Sequence, residues 1–409
     1  MDHFFKVTHL PDVLAYRSQF CRAGIESVAL DAVCGRILAA DLVADLDLPG
    51  FSRATMDGYA VAAASTFGAS EANPAYLALK GRVSMGEKPA FGVGPGEAAG
   101  IATGGMLPQG TDAVAMVEHT ELLDPTTIEV YRSVAPGQHV IAAGEDYALG
   151  NIVLTSGSRI RPQEAGLLAA FGQNTIRVFQ KPRVGIVSTG DEIVPVEQIP
   201  ARGRIRDINT HTLSGQVLAA GGVPVAYGIV SDDFDDLRAV CRQALDETDM
   251  VLISGGSSVG IRDFTVRVLD SLPQSRILVQ GISISPGKPT ILADTGGKAV
   301  WGLPGHVVSA MVVFSVVVQP FLETMAGLSE AGGKRLHVPA RLSRNVPSAQ
   351  GRIDFIRVRL SQTGGKLMAE PLLGKSGLIN TMVQADGLIA VDINTEGLDC
   401  GEAVSVMVI

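Results

Sequence analysis

Between about Lys181 and Gly327, short apolar runs alternate with stretches of helical periodicity, and no other feature restricts the possible fold as much. Arg183 to Ser188 (RVGIVS), Val225 to Val230 (VAYGIV), Met250 to Ser254 (MVLIS), Ile277 to Ile284 and Lys298 to Leu303 read as strands. They are apolar on both faces, so both faces must be covered. Between them Phe234, Leu237, Cys241 and Leu245 recur at helical spacing, as do Phe264, Val268 and Leu272. Strands and helices in this order predict a doubly wound, mainly parallel sheet in an α/β architecture.

In such a sheet, ligands bind beyond the carboxyl ends of the strands. The residues just after the apolar runs are polar: STGDE (188–192), SDD (231–233), SGGSSVGIRD (254–263) and SPGKP (285–289). Three of these loops supply the carboxylates Glu192, Asp232 and Asp263, and the fourth supplies Lys288. Carboxylates facing one mouth repel each other unless a cation lies between them, and oxygen ligands of this kind suit Mg²⁺ bridging to a phosphate. Gly255 and Gly256 let the backbone approach an anion closely, with the Ser257 and Ser258 hydroxyls beside it. The sequence there matches neither the P-loop nor the dinucleotide fingerprint. Plainer roles stay open: Asp232 and Asp263 each precede a helix and suit an N-cap, and Lys288 alone suits a solvated surface.

A chain of 409 residues requires more than one core. Leu48 to about Ile141 is rich in Gly and Pro, with short strand-like pieces at Ala113 to Val117 and Thr127 to Tyr131, which predicts an inserted β-rich domain. Arg161 to Gly172 carries a helix signal with Pro162 in the first turn. Beyond Gly332, the alternation in Phe355 to Leu360 and Gly-marked turns predict a small β domain. The expected division is 1–46 with 142–180 as a helical and linker domain whose first helix packs on the α/β domain, 47–141 as the insert, 181–328 as the α/β domain, and 333–409 as the terminal β domain. TMDGYAV places Asp57 in what reads as a turn. Arg357 and Arg359 share one strand face, for which an exposed sheet surface is the plain reading.

The net charge of −9 offers no general attraction to nucleic acid or to an anionic membrane. Cys21, Cys34, Cys241 and Cys400 lie far apart, which argues against a zinc site or a disulfide framework and suits a reducing cytoplasm. The first residues lack the charged-then-apolar order of a signal peptide. Ala299 to Val318 has no acidic or basic residue apart from His306, but Gly302, Pro304 and Gly305 interrupt it. That leaves an apolar stretch too short to span a bilayer, and it reads as a strand, a turn and a buried helix.

Taken in order, LPGFSRATMDGYAV, ATGGMLPQGTDAV, GEDY, STGDE, RDIN, GGSSVG..D, PGKP, GLPG.VVSA, GRIDF.R and SG......ADG resemble the landmarks of the molybdopterin molybdenumtransferases, the bacterial MoeA proteins and gephyrin E domains. The resemblance implies a homodimer with a molybdopterin-binding α/β domain, a β-rich insert and a β-barrel-like C-terminal domain. It implies insertion of molybdate, or tungstate in its place, into adenylylated molybdopterin with Mg²⁺-dependent release of AMP, and the molybdopterin adenylyltransferase as candidate supplier. The implicated positions are Asp57, Thr103, Asp146, Glu192, Asp232, Asp263, Lys288, Pro304, Arg352 and Ser376, with Asp57 acting across the dimer. Gly255, Gly256, Ser257 and Ser258 would grip the pyrophosphate. The chain departs from the family pattern at Gly281, Ser285, His306, Val307 and the Ser52-Arg53 pair. Two positive charges are lost, for which Arg262 or Arg53 is the candidate replacement. Two alternatives follow: a molybdopterin carrier or scaffold of low activity, and the adenylyltransferase itself, against which the extra domains argue.

Overall fold

The computed structural model describes residues 7–255, 259–330, 333 and 335–409, with 259–263 described by their backbone alone. The chain forms two compact units, one made of residues 41–155 and 163–174, the other of the remainder.

The larger unit is built on strands β1 (Arg183–Thr189), β2 (Val223–Val230), β3 (Met250–Ser254), β4 (Ser275–Gln280), β5 (Ile291–Thr295) and β6 (Lys298–Leu303). Their order in the sheet is β2-β1-β3-β6-β5-β4. The first four of these are mutually parallel, whereas β5 runs antiparallel to both β6 and β4. This corrects two expectations. The run Ile277 to Ile284 is not one strand, because Gly281 (φ +128) breaks it and Ile284–Ser285 pairs instead with the C-terminal domain. In addition, β5 and β6 form a hairpin across Gly296-Gly297, both at positive φ, as a tight two-residue turn requires.

Helices α1 (Asn209–Ala219), α2 (Phe234–Glu247), α3 (Val259–Asp270) and α4 (Val307–Val313) complete the layers. The strands are buried on both faces because alternate residues enter two different cores. Val184, Ile186, Met250 and Leu252 pack with Leu213 and Val217 of α1 and with the helix Val307–Met325. Val187, Val251 and Ile253 pack with Leu237 and Cys241 of α2 and Val268 of α3. Leu10 and Val13 of the short helix Leu10–Ala15 join the first of these cores.

The helix after β6 is longer than the sequence suggested. It runs through α4, a π turn at Phe314–Val318 and the segment Gln319–Met325. By length and composition it could cross a bilayer, and 72% of its apolar window is buried inside the protein, as in a core helix.

The C-terminal strands β7 (His337–Leu342), β8 (Ile353–Thr363), β9 (Lys366–Pro371), β10 (Gly387–Val391) and β11 (Ala403–Val408) pair in the order β8-β9-β7-β11-β10, and β10 returns to β8, closing a five-stranded barrel. In the smaller unit, six strands from Gly58–Val61 to Thr127–Val130 form one sheet over a core that includes Leu77, Ile128 and Val130. The predicted helix near Arg161 is Pro162–Ala170, ended by Gly172 at φ +67.

Candidate active site

The sheet topology brings the predicted loops to one edge. β1, β2, β3, β4 and β6 all run the same way, so the segments after them emerge together. In register, Ser188 lies beside Ser254, and their hydroxyls are 3.2 Å apart. The Ser188 hydroxyl also donates to Asp207 Oδ1 (3.0 Å), while Thr210 donates through its backbone N–H to Oδ1 (3.1 Å) and through its hydroxyl to Oδ2 (2.6 Å). All four residues are buried. This network locks the last residues of β1 and β3 to the first turn of α1, and a satisfied buried polar network of this kind fixes geometry.

β1 and β3 stop at glycines, Gly190 (φ +150) and Gly255 (φ +137). A Cβ at Gly255 would lie 2.2 Å from the Thr189 carbonyl oxygen, so only glycine fits there. The Thr189 hydroxyl donates to Asp232 Oδ1 (2.6 Å), and the Asp232 N–H donates to Asp191 Oδ1 (3.2 Å). The N-cap of α2 is Asp233, which accepts from the N–H groups of Asp235 and Asp236. Capping therefore does not explain Asp232. Nor does it explain Asp263, which lies inside α3, past its first turn. Glu192 is exposed, its carboxylate folded back over Gly190, where an added Cβ would lie 2.9 Å from Oε2. Gly256, Ser257 and Ser258 lie outside the described residues, as do the side chains of Arg262 and Asp263. Among the described residues, no three His, Cys, Asp or Glu side chains converge as a metal site.

The same edge is joined to the barrel at two points. Ser285 pairs with Asp354 at the start of β8, which ties the loop bearing the exposed Lys288 to the strand that follows Arg352. The Arg352 Nε lies 3.0 Å from Asp354 Oδ1, an ion pair off the line of a good hydrogen bond, and Ser348 donates to Oδ2 (2.7 Å). Burial acts to raise the Asp354 pKa, but hydrogen bonds from Ser348 and Ser285 and the Arg352 charge outweigh it and hold the carboxyl below its usual range. At the second point, the Val308 N–H in the first turn of α4 donates to the Ser376 carbonyl (3.1 Å), which places Ser376 beside the buried Pro304 loop. His306, exposed at the N-cap of α4, faces Gly377 across the same contact.

Two residues for which the sequence suggested no functional role, Asn209 and Arg357, position these loops. Asn209 donates from Nδ2 to the Gly305 carbonyl (2.9 Å), while its buried Oδ1 has no partner. Arg357 is buried, contrary to the exposed-face expectation, and donates to the carbonyls of Leu372 (3.4 Å) and Gly374 (3.0 Å), anchoring the segment that leads to Ser376. Asn209 and Asp207 both lie in the RDIN stretch, so the signal was present but carried no assigned role. Arg359, one alternation further along the strand, is exposed.

In the smaller unit, Asp57 and Thr103 meet. The Asp57 Oδ1 accepts from the Thr103 N–H (2.7 Å) and from its hydroxyl (2.9 Å). The backbone hydrogen bond and then the hydroxyl hold the Asp57 pKa below its ordinary value, with Arg82 adding to the effect. Asp57 and Arg82 line a groove of about 610 Å³ together with Tyr59 and Leu122. Asp146 is exposed in the same unit, and its N–H donates to the Leu48 carbonyl (3.0 Å).

Three family regions match the chain in order: the MoeA N-terminal region (domain I and II) over residues 8–172, a probable molybdopterin binding domain over 185–324, and the MoeA C-terminal region (domain IV) over 339–409. The molybdopterin molybdenumtransferase of Bacillus subtilis is 31% identical over 388 residues, covering 94% of this chain and 90% of that protein. A Methanocaldococcus jannaschii protein named for molybdopterin biosynthesis is 36% identical over 391 residues, covering 93% and 92%. Among solved structures, a molybdopterin biosynthesis MoeA protein of Pyrococcus horikoshii superposes with a TM-score of 0.85 at 30% identity, over 99% of this chain and 100% of that one. Collinear over three regions and nearly full length, the chain belongs to the MoeA family, the molybdopterin molybdenumtransferases of molybdenum cofactor biosynthesis.

Proposed function

We propose that this protein inserts molybdate into adenylylated molybdopterin, with Mg²⁺-dependent release of AMP. The observation that carries the reading is the division of labour between neighbouring carboxylates: Asp233 caps α2, while Asp232 is held at the strand-end mouth by Thr189 with no capping role. Two oxygen-only donors, the exposed Glu192 and the half-buried Asp232, suit a hard cation that keeps several of its waters. When bound, Mg²⁺ would neutralise phosphate charge and favour departure of AMP.

The protein's own groups supply the rest. Gly190 and Gly255 let the ligand approach the ends of β1 and β3, and the Ser188–Asp207 network keeps those ends fixed. Lys288, Arg352 and Ser376 are the candidate anchors for the oxyanion and phosphate, with Arg352 oriented by Asp354. Asp57, whose carboxylate accepts from the Thr103 N–H and hydroxyl, is the candidate base or ligand contributed across the dimer. Ser285 is neutral and hydrogen-bonds Asp354, so Lys288 and Arg352 bear most of the charge at the anion site.

The test is AMP release from adenylylated molybdopterin by the purified full chain with Mg²⁺, with molybdate and tungstate in separate arms. Release that depends on an oxyanion supports the reading and identifies the metal. Pterin binding without release in either arm would replace it with a carrier role.

A further inference from the structure

A second cavity, of about 420 Å³, lies in the larger unit between the last turns of α1, the helix Val307–Met325 and the end of the barrel. It is distinct from the strand-end mouth. α1 begins at that mouth with Asn209, and the cavity takes its wall from Gln216 to Ala220, ~10–16 Å further along the helix at 1.5 Å per residue.

Its lining is mixed, and two of its polar side chains are incompletely satisfied. The Gln216 amide donates from Nε2 to the Met311 carbonyl and to the Ser315 hydroxyl, each at 3.1 Å. A carbonyl can only accept, so this contact fixes the amide orientation and leaves Oε1 as the acceptor, and that atom is buried without a partner. Arg335 Nη2 is also buried without a partner, and Nη1 reaches only the Met407 sulfur (3.4 Å), a weak acceptor. Burial pushes the Arg335 pKa down, and the Glu323 charge offsets only part of this. Met311, Met382, Met407 and Leu336 supply part of the apolar wall, and unbranched thioethers adapt readily to an apolar ligand. Ser315 reaches the cavity from the π turn, in which the Gln319 N–H bonds to Phe314 O, and turns of this kind recur at functional sites.

A half-buried guanidinium with one buried, unpaired nitrogen costs stability, so its presence beside an unfilled acceptor calls for a ligand that completes both. We propose that this cavity binds a small organic carboxylate with an apolar body and its own hydrogen-bond donor. The carboxylate pairs with Arg335, the donor serves Gln216 Oε1, and the body packs on the methionines. The volume falls within the range of ~300–1,000 Å³ usual for small-molecule sites.

The test is calorimetric titration of the full chain with 3-phenyllactate, against 3-phenylpropane-1,2-diol as the neutral match. Phenyllactate should bind and the diol should bind at least ~10-fold more weakly, the scale of a hydrogen-bonded charge. Arg335→Leu should abolish the discrimination between the two and, by removing a half-buried and incompletely paired charge, raise the melting temperature without ligand. Met311→Trp, which fills the cavity and keeps the backbone carbonyl, should block phenyllactate and provides the decisive arm if Arg335→Leu fails to fold. Absence of phenyllactate binding, equal binding of acid and diol, or wild-type affinity in Met311→Trp would each overturn the proposal and leave a cavity that holds only water.

Discussion

Asp232 and Asp233 are adjacent in sequence and chemically identical, yet they face different tasks, so substitutions at the two positions should separate activity from stability. Asp232→Asn is expected to lower AMP release by ~100-fold or more, as when a group that stabilises a transition state is removed, with melting unchanged. Asp233→Ala should cost ~0.5–2 kcal/mol of stability through the lost cap, read by chemical denaturation, with AMP release per folded molecule retained. The sequence singled out Asp232, with an N-cap as its plainer role, whereas the cap is Asp233, because a helix start is bounded by sequence only to within a residue or two. A second residue-scale expectation concerns acid. The folded-state pKa of Asp354 is depressed, so its contribution is complete above an unfolded value of about 3.9 and is lost as pH falls through the folded value. The stability gap between wild type and Asp354→Asn should therefore stay constant from neutral pH to about pH 4 and narrow below it, measured by thermal melts at each pH.

The ends of β1 and β3 are where element geometry and chemistry meet. Gly255→Ala combines φ +137 with a Cβ 2.2 Å from the Thr189 oxygen, so it should destabilise by more than ~1 kcal/mol and displace the Thr189–Asp232 contact, lowering both melting temperature and AMP release. At this scale the parallel strands were legible because buried runs such as MVLIS leave no solvent face to explain. The β5–β6 hairpin was not read, although Gly296-Gly297 announced it, because Ile291–Thr295 is short and mixed, and the apolar run ending at Ile284 absorbed the strand count. The barrel was legible only as a β domain. Its closure depends on the 11 residues of β8 pairing on both sides, a fact of tertiary register that no local pattern records.

At the scale of the whole molecule, a net charge of −9 opposes an anionic nucleotide-bearing substrate at long range, while Lys288 and Arg352 attract it only nearby. Shortening the screening length from ~30 Å at 0.01 M to ~8 Å at 0.15 M ionic strength should therefore raise kcat/KM for AMP release, followed by a fall as higher salt weakens the local pocket. A monotonic decline from the lowest salt would mean that the basic pocket dominates even at a distance. The order of the four sequence regions was readable from motifs spread along the chain. The sequence suggests a helical and linker domain for 1–46 with 142–180, whereas strands pair across the insert there. Ile25–Ala29 lies antiparallel to Thr175–Phe179, with Ile25 opposite Phe179. During synthesis at ~5–20 residues per second, the first of these strands leaves the ribosome ~8–30 s before its partner exists. For that interval it is a nascent edge with nothing beside it, so its exposure to pairing with the wrong chain is greatest during translation.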